Sequence, residues 1–229
     1  MSHRHAVRVW WAGLDHAPDL MDDGERARHA SLLREADRRR LAIGSALLRI
    51  TAGAALGQDP RSVRLDRTCP TCGRPHGKPR IVDGGDLRAS VSHSGDRVAV
   101  ALTRGAAVGV DVEELTARLD HAVLAPTVLT GTEHAADAAT FLAYWTCKEA
   151  VLKATGDGLQ VPLTSLAIAD PLSTPRLTWW HGRPDMPHAV RLYRLNPGPG
   201  HLAALAVLDP TPRPVEELDA TALLAPAAS

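Results

Sequence analysis

The sequence predicts an α/β (α+β) chain built as two similar halves. Three observations carry that prediction. Short β-branched runs bounded by Gly, Asp and Ser alternate with longer stretches that repeat leucine and alanine at helical spacing. Two fragments echo along the chain: HAVR begins at residue 5 and again at 188, and RVAVAL at 97 resembles LAALAV at 202. The 229 residues suffice for one large domain or two small ones. We expect an N-terminal half at residues 1–105 and a C-terminal half at 106–229.

In chain order, HAVRVWWA (5–12) predicts a first strand. Residues 24–57 predict a long helical region, including LAIGSALLRITAGAAL. Residues 58–88 are rich in Pro, Gly and Arg and predict loops with one short strand. RASVSHSGDRVAVALTRGAAVGVDVEEL holds three strand-like runs separated by SGD and TRGA turns. Residues 116–159 read as mostly helical, and Gly156 and Gly158 end that region. LTSLAIAD, PRLTWW, AVRLYRLN and HLAALAVL then predict a second sheet, and the tail from PTPRP onward a loosely held terminus.

Composition excludes some classes of function. The formal charge is zero and aromatics are 3% of residues, which disfavours nucleic-acid binding. No apolar run approaches the ~20 residues of a membrane span. The N-terminus lacks the basic-then-apolar layout of a secretion signal. Three cysteines cannot all pair, and their number fits a reducing cytosol, so the expected location is cytoplasmic.

Of 26 lysines and arginines, only Lys78, Lys148 and Lys153 are lysine. Lysine is a compact point charge that can move protons, whereas arginine is a rigid fork that rarely can. Two of the three lie in FLAYWTCKEAVLKATGDGL (141–159). At about 100° per residue, Phe141, Tyr144, Trp145, Lys148 and Leu152 share one helix face, with Glu149 and Lys153 together on its flank. A buried, unpaired ammonium costs several kcal/mol, so Lys148 requires an anionic partner or a cleft. The bland alternative is a snorkelling lysine beside a surface Glu–Lys pair.

In GVDVEEL (109–115), strand alternation sends Val108, Val110 and Val112 to one face and Asp111 and Glu113 to the other, about 7 Å apart. Two carboxylates on one face suit a hard divalent cation such as Mg²⁺, although a solvated edge strand would show the same pattern. SVSHSG (90–95) offers the imidazole of His93, the hydroxyls of Ser92 and Ser94 and turn amides, all suited to phosphate oxygens, although a lone histidine at a strand end is more often structural. Arg26, Arg28, Arg34, Arg38, Arg39 and Arg40 bracket a short helix, either as a phosphate clamp or as a solvated face. In CPTCGRPHGKP, Cys69, Cys72 and His76 fall one ligand short of a closed zinc site, and the thiols are expected to be reduced and packed. Together these residues equip phosphoryl-type transfer with a metal.

GKP (77–79), SHS (92–94), GVDVE (109–113) and WTCKEAVLKATGDGL (145–159) occur in that order, and the set resembles the Sfp-type 4′-phosphopantetheinyl transferases. The resemblance implies two pseudo-twofold-related α/β halves with the active site between them. It implies transfer of 4′-phosphopantetheine from coenzyme A to a serine of an apo acyl or peptidyl carrier protein, with Mg²⁺ as cofactor and 3′,5′-ADP as the other product. Asp111, Glu113 and Glu149 match the metal carboxylates, and Glu149 is also the candidate base. Lys153 would hold the pyrophosphate and protonate the departing phosphate, and Lys148 would face phosphate oxygens across the cleft. Ser92, His93 and Lys78 match coenzyme A contacts. Arg26 and Arg28 fall where the family holds the 3′-phosphate, and Arg39 and Arg40 near its adenine side. The carrier, a small acidic helical bundle, would dock beside residues 114–140, with no membrane or nucleic-acid partner and a monomer as the expected state. Two other functions share part of this inventory: another Mg²⁺-dependent phosphotransferase, and a non-catalytic coenzyme A or nucleotide-binding module.

Overall fold

The computed structural model describes residues 6–116 and 119–225. His5, residues 117–118 of the expected helical stretch and residues 226–229 of the tail lie outside them. The chain opens with β1 (Val7–Ala12), followed by α1 (Asp23–Ser31) and α2 (Glu35–Leu56), the one predicted helical region being divided in two. Asp22 caps α1 through a reciprocal box with Glu25, and Gly57 closes α2 in the left-handed conformation at φ +68°. Two short strands, β2 (Leu65–Asp66) and β3 (Arg80–Ile81), flank the Pro/Gly-rich loop, and β4 (Leu87–Ser94) and β5 (Arg97–Arg104) form a hairpin.

The second stretch runs β6 (Val108–Glu114), α3 (His121–Val128), α4 (Ala138–Thr155), β7 (Leu166–Ala169), β8 (Arg176–Trp180), α5 (Met186–Ala189), β9 (Val190–Leu195) and β10 (His201–Leu208). The chain then returns as β11 (Val215–Asp219) and a last turn, α6 (Thr221–Leu224).

Two compact units result, Met1–Gly105 with Val215–Ser229, and Ala106–Pro214. The C-terminal segment therefore departs from the expected division at 106–229 and from the expected loose terminus. β11 pairs in parallel with β1, Val7 opposite Val215 through Trp11 opposite Asp219. Arg8 and Trp11 bind the Glu216 and Glu217 carboxylates across that pair, and Ala220 and Leu224 are buried in the first unit's core.

The first unit carries the sheet β11-β1-β5-β4, on which α2 lays Ile43, Leu47, Leu48 and Ala52 against Val98, Val100 and Leu102. The second carries β6-β10-β9, covered by α4 through Cys147, Ala150, Val151 and Ala154. β7 and β8 form a separate hairpin in place of two further strands of that sheet. Each unit repeats one path: a strand, a helix, then an antiparallel pair whose second strand inserts beside the first. Hence β1-β5-β4 in one corresponds to β6-β10-β9 in the other. The RVAVAL/LAALAV echo falls on the equivalent strands β5 and β10. The HAVR echo does not, because it matches β1 to β9, whose topological equivalent is β4. Among the described residues no helix is long and apolar enough to cross a membrane.

Candidate active site

The GVDVE strand and the WTCKEAVLKATG helix meet in the second unit, and Gly109 explains how. On β6 a period of two puts Gly109, Asp111 and Glu113 on one face. A Cβ on Gly109 would lie 2.0 Å from the Ala150 carbonyl oxygen and 2.4 Å from the Ala154 nitrogen of α4. Only glycine admits the helix backbone this close. With that contact fixed, Glu149 and Lys153, one residue to the N-terminal side of Ala150 and of Ala154, are carried to the carboxylates of β6. Lys153 Nζ donates to Asp111 Oδ1 at 2.6 Å. α4 itself is well bounded: Asp137 caps it by accepting from the Thr140 N–H at 2.7 Å, and Gly156, at φ +86°, ends it with its N–H on the Leu152 carbonyl.

β6 is an edge strand of its sheet, but Asp111 is buried and so does not stand on the solvated polar face that its sequence pattern also allowed. Glu149 is buried as well, and its Oε1 has no hydrogen-bond partner among the described residues. Its carboxyl is held above the usual carboxylate range, chiefly by burial and then by the negative charge of Asp111; Lys153 opposes this, and Glu113 adds a smaller push upward. The three carboxylates expected to act together are thus within electrostatic reach of one another, beside one ammonium.

Lys148 departs from expectation. It does not face a cleft: its side chain is 0% exposed, and its Nζ donates to the Val128 carbonyl at 2.6 Å and to Glu133 Oε2 at 2.5 Å. Burial pushes its pKa down, and Glu133 pulls the other way. Glu133 in turn accepts the Thr130 N–H on Oε2 and the Ile168 N–H on Oε1, both at 2.7 Å. Lys148 therefore answers the need for an anionic partner through a buried pair that ties α3, the following loop and β7 to α4. Nothing in the sequence singles out Glu133, because TGTEHAADAA shows no periodic pattern; the available signal was a carboxylate upstream of a lysine on an apolar face, other than the capping Asp137.

The remaining expected residues lie in the first unit. Ser92 is buried and His93 exposed, both at the end of β4. Arg40, on α2, reaches the adjoining turn by donating from Nε to the Gly95 carbonyl at 2.8 Å, and pairs with Asp37. Arg39 and Arg38 share Glu35 at the surface, and Arg26 pairs with Asp19. Arg28 is exposed on α1. Burial, then the charge of Arg88, lowers the Lys78 pKa to about 8. Of this set, Arg40 is brought to the Ser92–His93 turn. Lys78 lies near enough to Arg88, on β4, to feel its charge.

The family model for the 4′-phosphopantetheinyl transferase superfamily matches residues 107–205, from the start of β6 into β10. The 4′-phosphopantetheinyl transferase HetI of Nostoc sp. is 31% identical over 168 residues, covering 67% of this chain and 70% of that protein. A 4′-phosphopantetheinyl transferase of Bacillus subtilis is 30% identical over 138 residues, 58% of each chain. A phosphopantetheinyl transferase of Thraustochytrium sp. is 30% identical over 185 residues, 67% of this chain and 62% of that protein, so the match spans about three-fifths of these last two relatives. From the strand and helix that carry the carboxylates outward, the chain belongs to the 4′-phosphopantetheinyl transferase superfamily, a family of transferase enzymes.

Proposed function

We propose that this protein transfers the 4′-phosphopantetheine group of coenzyme A to a serine hydroxyl of an apo acyl or peptidyl carrier protein, with Mg²⁺, and releases 3′,5′-ADP. The observation that carries the proposal is the buried Glu149 carboxylate beside Asp111 and Glu113, with Oε1 lacking a hydrogen-bond partner among the described residues. Three hard oxygen donors of this kind have the chemistry for a divalent cation of the Mg²⁺ class, and Asp111, Glu113 and Glu149 would hold it once drawn together around it. When bound, Mg²⁺ supplies charge neutralisation for the pyrophosphate.

The protein's own side chains account for the rest. Glu149 takes the proton of the carrier serine as its oxygen bonds to the phosphorus bearing the pantetheine arm. The bond from that phosphorus to the bridging oxygen breaks, and Lys153, held beside Asp111 at 2.6 Å, gives a proton to the departing phosphate. In the first unit, Ser92, His93 and Arg40 are proposed to contact phosphates of coenzyme A. Lys78, with its pKa near 8, is proposed as a further cationic contact, and Arg26, Arg28 and Arg39 as exposed ones. Lys148 is assigned no contact with substrate. The three cysteines are free thiols, which supports a reducing, cytoplasmic setting, and a single chain carries every residue named, so a monomer suffices.

The test is incubation of the protein with coenzyme A, Mg²⁺ and an apo carrier, followed by intact mass of the carrier. A gain of one phosphopantetheine, lost in Glu149→Gln while coenzyme A binding persists, supports the proposal. Tight coenzyme A binding with no transfer to fatty-acid, polyketide or peptide carriers would point to a binding module instead.

A further inference from the structure

The CPTCG–PHG loop, left without a role by the transfer chemistry, folds so that three soft ligands converge. The Cys69 and Cys72 thiols and the His76 imidazole place one ligand atom each within 4.8 Å of the others. Cys72 Sγ and His76 Nε2 are 2.9 Å apart. A tetrahedral zinc, with Zn–S near 2.3 Å and Zn–N near 2.0–2.1 Å, needs its ligand atoms about 3.6–3.8 Å apart. The Cys72–His76 separation falls short of that value by less than an ångström and no separation exceeds 4.8 Å, so an ion could be seated by shifts of about an ångström with no refolding of the loop.

The backbone is built for this convergence. The N–H groups of Cys72 and Thr71 point at the sulfur of Cys69, as they must when a turn wraps around a thiolate. Cys69 and Arg74 are joined by a backbone hydrogen bond of 2.8 Å, and Gly73 turns at φ +69° with its N–H on the Cys69 carbonyl. Gly77 then closes the loop by donating to the Arg67 carbonyl at 2.6 Å, at a point where a Cβ would lie 2.9 Å from the Thr68 carbonyl oxygen. This is a closed loop of about ten residues in which Cys69 is buried and residues 70–76 are all exposed. Such a loop has almost no apolar interior to hold it, and small units of this kind commonly depend on a metal or a cross-link.

We propose that Cys69, Cys72 and His76 form a zinc site, with water in the fourth position, that staples residues 67–77. Two thiolates and an imidazole select a borderline-soft d¹⁰ cation over Mg²⁺, so the site is chemically distinct from the carboxylates of the second unit. The loop is rooted on α1 through Arg67, which sits 3.8 Å from Glu25, and it delivers the chain directly into Gly77, Lys78 and Pro79. The staple would thereby fix the approach to Lys78; the zinc assignment itself does not depend on any role of Lys78 or on transferase activity.

The tag-free full chain, purified in reductant and loaded with Zn²⁺, tests this by elemental analysis, followed by exchange to Co²⁺ and absorption spectroscopy. We expect about one zinc per chain and a near-ultraviolet thiolate-to-cobalt charge-transfer band. Cys69→Ser and Cys72→Ser should lose both signals, and Glu149→Gln should keep both, which separates this site from the proposed Mg²⁺ carboxylates. Because a cysteine variant could misfold, the unmodified protein provides a second measurement: Zn²⁺ should slow alkylation of Cys72, an exposed thiol, by at least about tenfold, and a chelator should restore it. Zinc below about a tenth of an equivalent, alkylation indifferent to Zn²⁺, or full zinc retention in a folded Cys72→Ser variant would each overturn the proposal.

Discussion

Replacing Lys148 by methionine separates a structural lysine from a substrate-facing one. Methionine keeps the length and the apolar stem but removes the ammonium. What remains is the Glu133 carboxylate, whose side chain is 2% exposed, and a Val128 carbonyl without its 2.6 Å donor. Removing one partner of a buried ion pair costs about 3–5 kcal/mol. Glu133 keeps the N–H groups of Thr130 and Ile168, each at 2.7 Å, which sets the expected loss near the lower end, about 3 kcal/mol. For a chain of this size that is a fall in Tm of roughly 6–12 °C. Combining Lys148→Met with Glu133→Gln should recover only part of that loss, since the second change removes the stranded charge but turns the amide NH2 toward the Thr130 or Ile168 N–H. Urea denaturation of both variants measures the stability terms. Turnover, assayed well below the transition, should stay within about threefold of wild type. An unchanged unfolding midpoint together with a loss of kcat/KM beyond about a hundredfold would refute the argument and return Lys148 to the phosphates.

Three further outcomes follow from the same packing. Gly109→Ala pushes a Cβ against the α4 backbone, 2.0 Å from the Ala150 oxygen, so the helix must retreat from β6. A stability loss at the top of the ~1–3 kcal/mol overpacking range and a fall in kcat of about a hundredfold are expected, read by thermal melts and steady-state rates. Glu149 has a folded pKa raised above 4.5, so its contribution to the metal-free protein is present below that value and lost as pH rises through the folded pKa. Glu149→Gln should therefore raise the Tm of the metal-free protein at pH 7, with each kcal/mol gained worth about 2–4 °C, while Mg²⁺ affinity of the unmodified protein strengthens with pH across that window; melts with and without chelator from pH 5 to 8 check both. Truncation after Pro214 removes β11 and the buried Ala220 and Leu224, uncovering β1, and should cost at least about 2 kcal/mol by urea titration.

Much of the site was legible because its chemistry is compressed into two short, patterned elements. Alternation along GVDVE put Asp111 and Glu113 on one face of β6, and the turn spacing of Glu149 and Lys153 put them together on α4. What brings the two elements into contact was not legible as a role: Gly109 reads as a weak strand residue until a helix backbone is found against it. Lys148 illustrates a different gap. Sequence reasoning required an anionic partner for it, and that partner proved to be Glu133, fifteen residues away in a stretch without periodicity. The C-terminal strand was hidden for the opposite reason. PVEELD has little β propensity, and its place is set by the edge of β1 and by the Arg8 and Trp11 side chains that wait for Glu216 and Glu217. Of the two echoes, RVAVAL/LAALAV marks equivalent strands, whereas HAVR matches by letter what the sheet order does not match by position.

The most direct test of the central claim is the mass of an apo carrier protein after incubation with this enzyme, coenzyme A and Mg²⁺, read alongside the 3′,5′-ADP released. The account predicts one phosphopantetheine added per carrier, one 3′,5′-ADP formed for each, and neither when Mg²⁺ is omitted or Glu149 is replaced by glutamine. Transfer that proceeds unchanged in the Glu149→Gln protein would contradict it, because the carboxylate on which the whole arrangement of β6 and α4 converges would then be dispensable.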